Sequence, residues 1–156
     1  METLFFYDFE ISKQGLLSCL NLIADDKENN KKTYGDATSF FVQMGLASLT
    51  LLENAYKGVS FNFQESSLKF VSNLCAEISS QLKSNKISQQ SYVTYLQLLG
   101  AYFGWCCIKK YKGYFATLDN QKVLVINNKA YNPFLMVKMC CEENKNIETY
   151  FDNFNS

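Results

Sequence analysis

Cysteine is the residue type in this 156-residue chain with the widest chemistry, since a thiolate can be a nucleophile, a metal ligand or half of a disulfide. The six cysteines are Cys19, Cys75, Cys106, Cys107, Cys140 and Cys141. The two adjacent pairs could supply four zinc ligands, but CxxC spacing is missing and neighbouring helical residues point about 100° apart. We therefore expect buried, reduced thiols and no metal site.

Covalent catalysis is suggested at one place, where Cys107 is followed closely by Lys109. A nearby cation can lower the pKa of a thiol and activate it. The chain has no histidine to act as the usual general base, and no arginine to bind phosphate through a bidentate fork. A small Cys-dependent enzyme is therefore the third of our interpretations, and we expect no catalytic residues and no cofactor.

Acidic side chains are the second candidate for function. Asp25, Asp26 and Glu28 fall in the run DDKENNKK, which has no apolar residue and predicts a loop, and Glu142 and Glu143 follow a predicted helix. These residues could form acidic patches for a basic partner, or they could simply be solvated turns. We take these five as the candidate partner-binding residues.

Overall charge and length restrict the class of protein. Fifteen lysines balance fifteen acidic residues, which argues against direct binding of nucleic acid, because such proteins carry a basic face. The start METLFFYDFE has neither the basic region nor the cleavage pattern of a signal peptide, so we expect a cytoplasmic protein. The length predicts a single domain over 1–156.

The element that organises the chain is a long helix capped by Ser88. It is apolar nearly all round from Tyr92 to Ile108, which is typical of a buried core helix or of a membrane span. Its uncharged run is at the short limit for spanning, so we expect a buried helix and no membrane. Gly100 and Gly104 predict close approach of a neighbouring element, with membrane dimerisation as the alternative.

The remaining segments predict an α+β fold that is mostly helical. Apolar residues at helical spacing predict helices from Ser12 to about Ala24, from Asp36 to before Gly58, from Ser66 or Ser67 to about Lys83, and from Phe134 to about Cys141. Thr3–Ile11 could be a strand, an extended arm or a helix start, and Ile147–Phe154 a short helix or a tail.

A small antiparallel sheet of two or three strands is predicted after the long helix, which we expect Gly113 to cap. Tyr114–Leu118 and Lys122–Ile126 have strand composition, and Asp119-Asn120 between them predicts a tight turn. A second turn at Asn127-Asn128 allows a short third strand at Lys129–Tyr131.

The residues Gly100, Ala101, Tyr102, Gly104, Gly113, Asn132 and Pro133 carry a resemblance. Over Val59 to Cys141 the chain resembles a loose group of small bacterial proteins, in which a serine-led helix precedes a "GaYlGe" helix, a short sheet and an "nPf" turn. The group's usual acid after the second glycine is Trp105 here, a residue we expect in the core. The resemblance implies a fold and no catalytic residue.

The small size and the Lys/Asn/Ile-rich composition also resemble the immunity proteins of bacterial toxin systems, including contact-dependent growth inhibition. This second resemblance implies a cytoplasmic protein that binds a cognate toxin domain, for example a nuclease, and blocks it by occlusion. Such a protein needs a complementary surface and no chemistry of its own. The alternative is a structural or regulatory interaction domain in a larger assembly, and the oligomeric state stays open.

Overall fold

The computed structural model describes residues 7–28 and 35–155, and it has the mostly helical α+β fold that the sequence predicts. The helices are α1 (Lys13–Glu28), α2 (Gly35–Ala55), α3 (Leu68–Lys83), α4 (Gln89–Tyr111), α5 (Pro133–Glu143) and α6 (Ile147–Asp152). Short 3-10 turns precede α3 (Glu65–Ser67) and follow α6 (Asn153–Asn155). The strands are β1 (Tyr114–Leu118), β2 (Gln121–Ile126) and β3 (Lys129–Tyr131).

The three strands form an antiparallel sheet in the order β1-β2-β3. Both predicted turns are present, and all four of their residues have positive φ between 50° and 65°. Two central residues with positive φ define the hairpin turn whose twist matches that of the strands, and Asn and Asp tolerate this conformation best. The third strand, which the sequence left open, is therefore confirmed.

Helix α4 is the centre of the core, as predicted. The Ser88 hydroxyl accepts a hydrogen bond from the Ser91 amide at 3.0 Å, so the predicted cap is confirmed. Every side chain from Leu99 to Ile108 is buried, whereas Val93 near the start of α4 is 50% exposed. The predicted buried stretch from Tyr92 onward is thus too long at its N-terminal end, because only one face of those first turns is covered.

Gly100 and Gly104 lie where other elements cross α4. A Cβ on Gly104 would come within 2.9 Å of the Phe115 ring from β1, and one on Gly100 would meet Phe134 from α5 at 2.5 Å. The Phe115 ring in turn stacks on Phe41 of α2 with centroids 3.7 Å apart. The close approach that the two glycines predict is confirmed, and it occurs within the domain. In the described part of the chain, no helix is both long enough and apolar enough to cross a membrane.

Trp105 is fully buried, as expected for a core residue. Its indole N–H donates a hydrogen bond of 2.7 Å to the carbonyl oxygen of Phe41. Gly45 of α2 provides the space, since a Cβ there would lie 2.7 Å from the indole ring. The bond satisfies the one polar atom of a side chain that would otherwise be costly to bury.

Residues 7–12 form an arm without helix or strand, and the preceding residues of the Thr3–Ile11 segment lie outside the described residues. The Tyr7 hydroxyl lies 2.6 Å from the Thr38 hydroxyl and accepts a hydrogen bond from the Phe115 amide. The Tyr7 ring also packs against Trp105 with centroids 5.4 Å apart. The arm therefore belongs to the fold, and Ser12 at its end accepts from the Gly15 amide as the predicted cap of α1.

Several predicted helix ends are wrong by a few residues. Helix α1 continues past Ala24 to Glu28, and α5 continues to Glu143. The predictions ended these helices where apolar residues stop, but polar residues also have adequate helix propensity and can continue a helix. Asp36 lies in the first turn of α2 instead of capping it, and Ser67 precedes α3 without a side-chain capping bond.

The end of α4 also differs from its prediction. The capping residue with positive φ is Lys112 (φ 66°, ψ 167°), one position before Gly113. Gly113 has φ 139°, and a Cβ there would collide with the carbonyl oxygen of Val125. Only glycine therefore fits at position 113, where α4 turns directly onto the sheet. The preceding residue, Lys112, adopts a strained backbone conformation.

Candidate functional site

The candidate site is built on the antiparallel packing of α4 and α5. Gly100 faces Phe134 at the start of α5, and eight residues earlier Tyr92 reaches Glu142 at its end. The Tyr92 hydroxyl donates a hydrogen bond of 2.7 Å to the Glu142 carboxylate. Burial, followed by this carboxylate, raises the pKa of Tyr92. A buried tyrosine thus fixes the position of an exposed acid.

Glu142 and Glu143 lie in the last turn of α5, which contains no basic residue. The prediction placed both acids after the helix, in a loop, and is wrong. Their position in the helix matters because the C-terminus of a helix carries partial negative charge and disfavours acids by roughly 0.3–1 kcal/mol. Asn144 ends the helix in the left-handed conformation (φ 55°, ψ 40°). The Lys145 ammonium nitrogen lies 3.6 Å from a carboxylate oxygen of Glu143, and both side chains are about half exposed. Such an ion pair contributes little to the stability of the fold.

A polar cleft of about 470 Å³ lies beside these acids, between the C-terminal turns of α3 and α5. Its lining residues come from both helices and are mainly small or polar: Ala76, Ser79, Ser80, Lys83, Ser84, Cys141, Glu142 and Asn144. Glu142 therefore stands at the rim of a concave surface. We call the last turn of α5 with this cleft the α5 edge.

The other predicted partner-binding residues are not brought into this site by any described contact. Asp25, Asp26 and Glu28 belong to the backbone of α1 instead of the predicted loop. Their side chains lie outside the part of the chain that the structure describes. Of the five candidates, the structure brings together Glu142 and Glu143.

Sequence reasoning missed Tyr92 as the partner of Glu142, because the two residues are fifty positions apart and no local pattern relates them. Sequence reasoning also missed the cleft, because a one-dimensional pattern does not show which polar face of a helix borders a neighbouring helix.

All six cysteines are buried free thiols. Burial raises the pKa of both Cys106 and Cys107 in the core of α4. Burial therefore opposes the thiolate form of Cys107 that a nucleophile would need. Among the described residues, no three Cys, Asp or Glu side chains form a cluster that could hold a metal ion.

A second concavity, of about 380 Å³, lies where the N-terminal arm meets the end of α4. Tyr7, Phe9 and Ile108 contribute apolar surface, and Lys109 and Lys112 contribute cations. Lys109 donates a hydrogen bond of 3.0 Å to the Asn62 carbonyl oxygen, so it also holds the loop before α3. The lysines at the end of α4 are exposed.

Comparison with protein families, curated proteins and solved structures finds no match to this chain.

Proposed function

We propose that this is a cytoplasmic immunity-type protein that binds a cognate toxin domain and blocks it by occlusion, without catalysis. The observation that carries the proposal is the α5 edge, where Glu142 and Glu143 stand at the negative end of a helix. Glu142 is also oriented by the Tyr92 hydroxyl. A basic partner surface would relieve the charge repulsion that the isolated protein bears.

The geometry of the edge favours a protein partner. An oriented carboxylate at the rim of a cleft can pair with a lysine or arginine side chain that enters it. Lys83, which also lines the cleft, can contact an acidic group at the edge of the same partner. Such complementary charges steer association and select a partner more than they add affinity.

The alternative, a structural or regulatory domain of a larger assembly, has an observation of its own. Val93, Leu118 and Leu135 are each about half exposed, at 50%, 48% and 52%. Permanent interfaces are more apolar than transient ones. Exchange of these residues for serine should weaken assembly under this alternative and leave toxin binding unchanged if the α5 edge is the contact.

Charge-neutral variants of the α5 edge test the proposal through association kinetics. We expect Glu142→Gln combined with Glu143→Gln to slow association with the cognate toxin domain, and to flatten the salt dependence of the association rate. A glutamine at position 142 can still accept from the Tyr92 hydroxyl, so we expect the fold to stay intact, with the weaker hydrogen bond offsetting the relief of charge at the helix C-terminus. Surface plasmon resonance at several salt concentrations measures the first effect, and urea unfolding the second.

Asp119→Asn is the matched control for charge. It removes one acid from the β1–β2 turn, where Asn is equally tolerated. Association rates that fall equally in the control and in the double variant would show a general charge effect and no α5 interface. An unchanged rate in the double variant would rule out the α5 edge.

A further inference from the structure

The concavity between the N-terminal arm and the end of α4 combines apolar walls with two cations, and we call it the arm pocket. Its volume of about 380 Å³ lies within the usual range of small-molecule sites, roughly 300–1,000 Å³. Most of its accessible wall is apolar, with contributions from Tyr7, Phe9, Ile11 and Ile108. Apolar walls with a few polar groups are the usual composition of such sites.

The charged groups around the arm pocket have a net positive charge. Lys109 and Lys112 are cations, and Glu10 is the one acid among the described lining residues. The Glu10 carboxylate already accepts a hydrogen bond of 2.9 Å from the Ser12 hydroxyl. The C-terminus of α4 adds about half an elementary negative charge, so two lysines still outweigh the negative groups. The pocket therefore favours an anion over a cation.

Both lysines are positioned by the fold before any ligand binds. Lys109 donates a hydrogen bond of 3.0 Å to the Asn62 carbonyl oxygen, and the Asn62 side-chain oxygen accepts from the Lys13 amide at 2.8 Å. Lys112 has a backbone conformation that is essentially restricted to glycine, and such outliers cluster at ligand-binding sites. Groups that are already in place lose less entropy on binding.

We propose that the arm pocket binds a small organic anion, in which an apolar body ends in a carboxylate. The apolar body packs against Tyr7, Phe9 and Ile108, where it is removed from water. The carboxylate pairs with the ammonium groups of Lys109 and Lys112 through charge-assisted hydrogen bonds. The small excess of positive charge suits a monovalent group, and inorganic phosphate would leave the apolar walls uncovered.

The arm pocket is separate from the α5 edge. Ile108 lies about 24 Å along α4 from Tyr92, given the rise of about 1.5 Å per helical residue. The two surfaces are therefore at opposite ends of the same helix. The binding of a carboxylate does not rest on the proposed function, and its tests use no toxin domain.

Trp105 reports on the arm pocket without a label. It is the only tryptophan of the chain, and its ring centroid lies 5.4 Å from that of Tyr7 and 6.0 Å from that of Phe9. A ligand that packs against either ring changes the surroundings of the indole. We expect titration of the purified, full-length protein with phenylbutyrate to change its tryptophan fluorescence in a saturable way. No saturable change at millimolar concentrations would overturn the proposal.

Two comparisons separate charge recognition from simple apolar adsorption. Phenylbutyramide, the neutral analogue, should bind about tenfold more weakly than phenylbutyrate, because it cannot form the charged pairs. Lys109→Gln combined with Lys112→Gln should weaken phenylbutyrate binding to a similar extent. Lys138→Gln, the matched control on the exposed face of α5, should bind like the unaltered protein.

The double variant should keep its fold, because glutamine at position 109 can still donate to the Asn62 carbonyl oxygen. Circular dichroism checks this. Equal affinity for phenylbutyrate in the double variant and the unaltered protein would contradict the assigned cations. Equal affinity of the unaltered protein for the acid and the amide would do the same, and this second comparison decides the question if the double variant does not fold.

Discussion

At the scale of single residues, strain is concentrated at Lys112. Its φ of 66° with ψ of 167° lies in a region that is essentially restricted to glycine, and occupying it costs about 1–3 kcal/mol. The surrounding structure holds it there, because Gly113 must already pass closely beside Val125. A non-glycine residue persists in such a conformation only where neighbouring contacts determine it.

Replacement of this lysine tests the strain. We expect Lys112→Gly to stabilise the protein by about 1 kcal/mol, since the relief of strain exceeds the added entropy of glycine in the unfolded chain. Urea unfolding monitored by circular dichroism measures the change. Lys138→Gly is the matched control in the exposed face of α5 and should destabilise by about 1 kcal/mol. Equal destabilisation of both variants would show that Lys112 is not strained.

At the scale of elements, the helices and strands follow from local signals. Ser12 and Ser88 cap helices as expected, and the Asp119-Asn120 turn joins its strands at the predicted place. What the sequence could not show are contacts between distant segments. The bond between Tyr92 and Glu142 depends on how α5 lies along α4, and local periodicity carries no information on that register.

The same limit applies inside the core. The Tyr102 hydroxyl accepts from the Phe63 amide at 3.1 Å and lies 2.6 Å from the Ser67 hydroxyl. It thereby holds Phe63 at a φ of 64°, which is rare for an aromatic residue. Nothing in the sequence VSFNFQ indicates that conformation, because it is imposed by α4. The sequence therefore predicts the elements, while packing alone determines the site.

Gly104 tests how tightly the elements are packed. We expect Gly104→Leu to lower the free energy of unfolding by about 1–3 kcal/mol, because the new side chain would displace Phe115 from its stack on Phe41. Thermal unfolding gives the measurement. Ala47→Leu, at an exposed position of α2, adds a similar volume to a helix surface and should have little effect. An unchanged midpoint in Gly104→Leu would show that β1 does not pack on this face of α4.

At the scale of the whole molecule, many ionisable groups are buried in their neutral form. Burial raises the pKa of Tyr7 to about 12 despite its hydrogen bonds to Thr38 and Phe115, and it raises the pKa of Tyr102 and Cys106. The unfolded chain releases these protons at lower pH than the folded protein does. The stabilisation that these groups contribute is therefore fully present when the pH is below their ordinary pKa values. It is lost as the pH rises towards their pKa values in the folded protein.

Alkaline conditions should accordingly destabilise the fold. We expect the urea midpoint to fall from about pH 9, where unfolded thiols ionise, through about pH 12, where folded Tyr7 ionises. Unfolding at about pH 7 and about pH 10, with reductant present throughout, makes the comparison. An equal or higher midpoint at the alkaline pH would mean that these groups are not buried in the neutral form.

Protection of cells tests most directly the proposal that this protein neutralises a toxin domain by binding it. The proposal requires a cognate toxin domain, for which a domain encoded beside this gene is the first candidate. That domain is produced in a sensitive strain with the unaltered protein, with the Glu142→Gln and Glu143→Gln double variant, or with Asp119→Asn. We predict growth with the unaltered protein and with Asp119→Asn, a stable complex on purification, and weaker protection by the double variant. Cell death in the presence of the unaltered, folded protein, with no complex at micromolar concentrations, would contradict the claim.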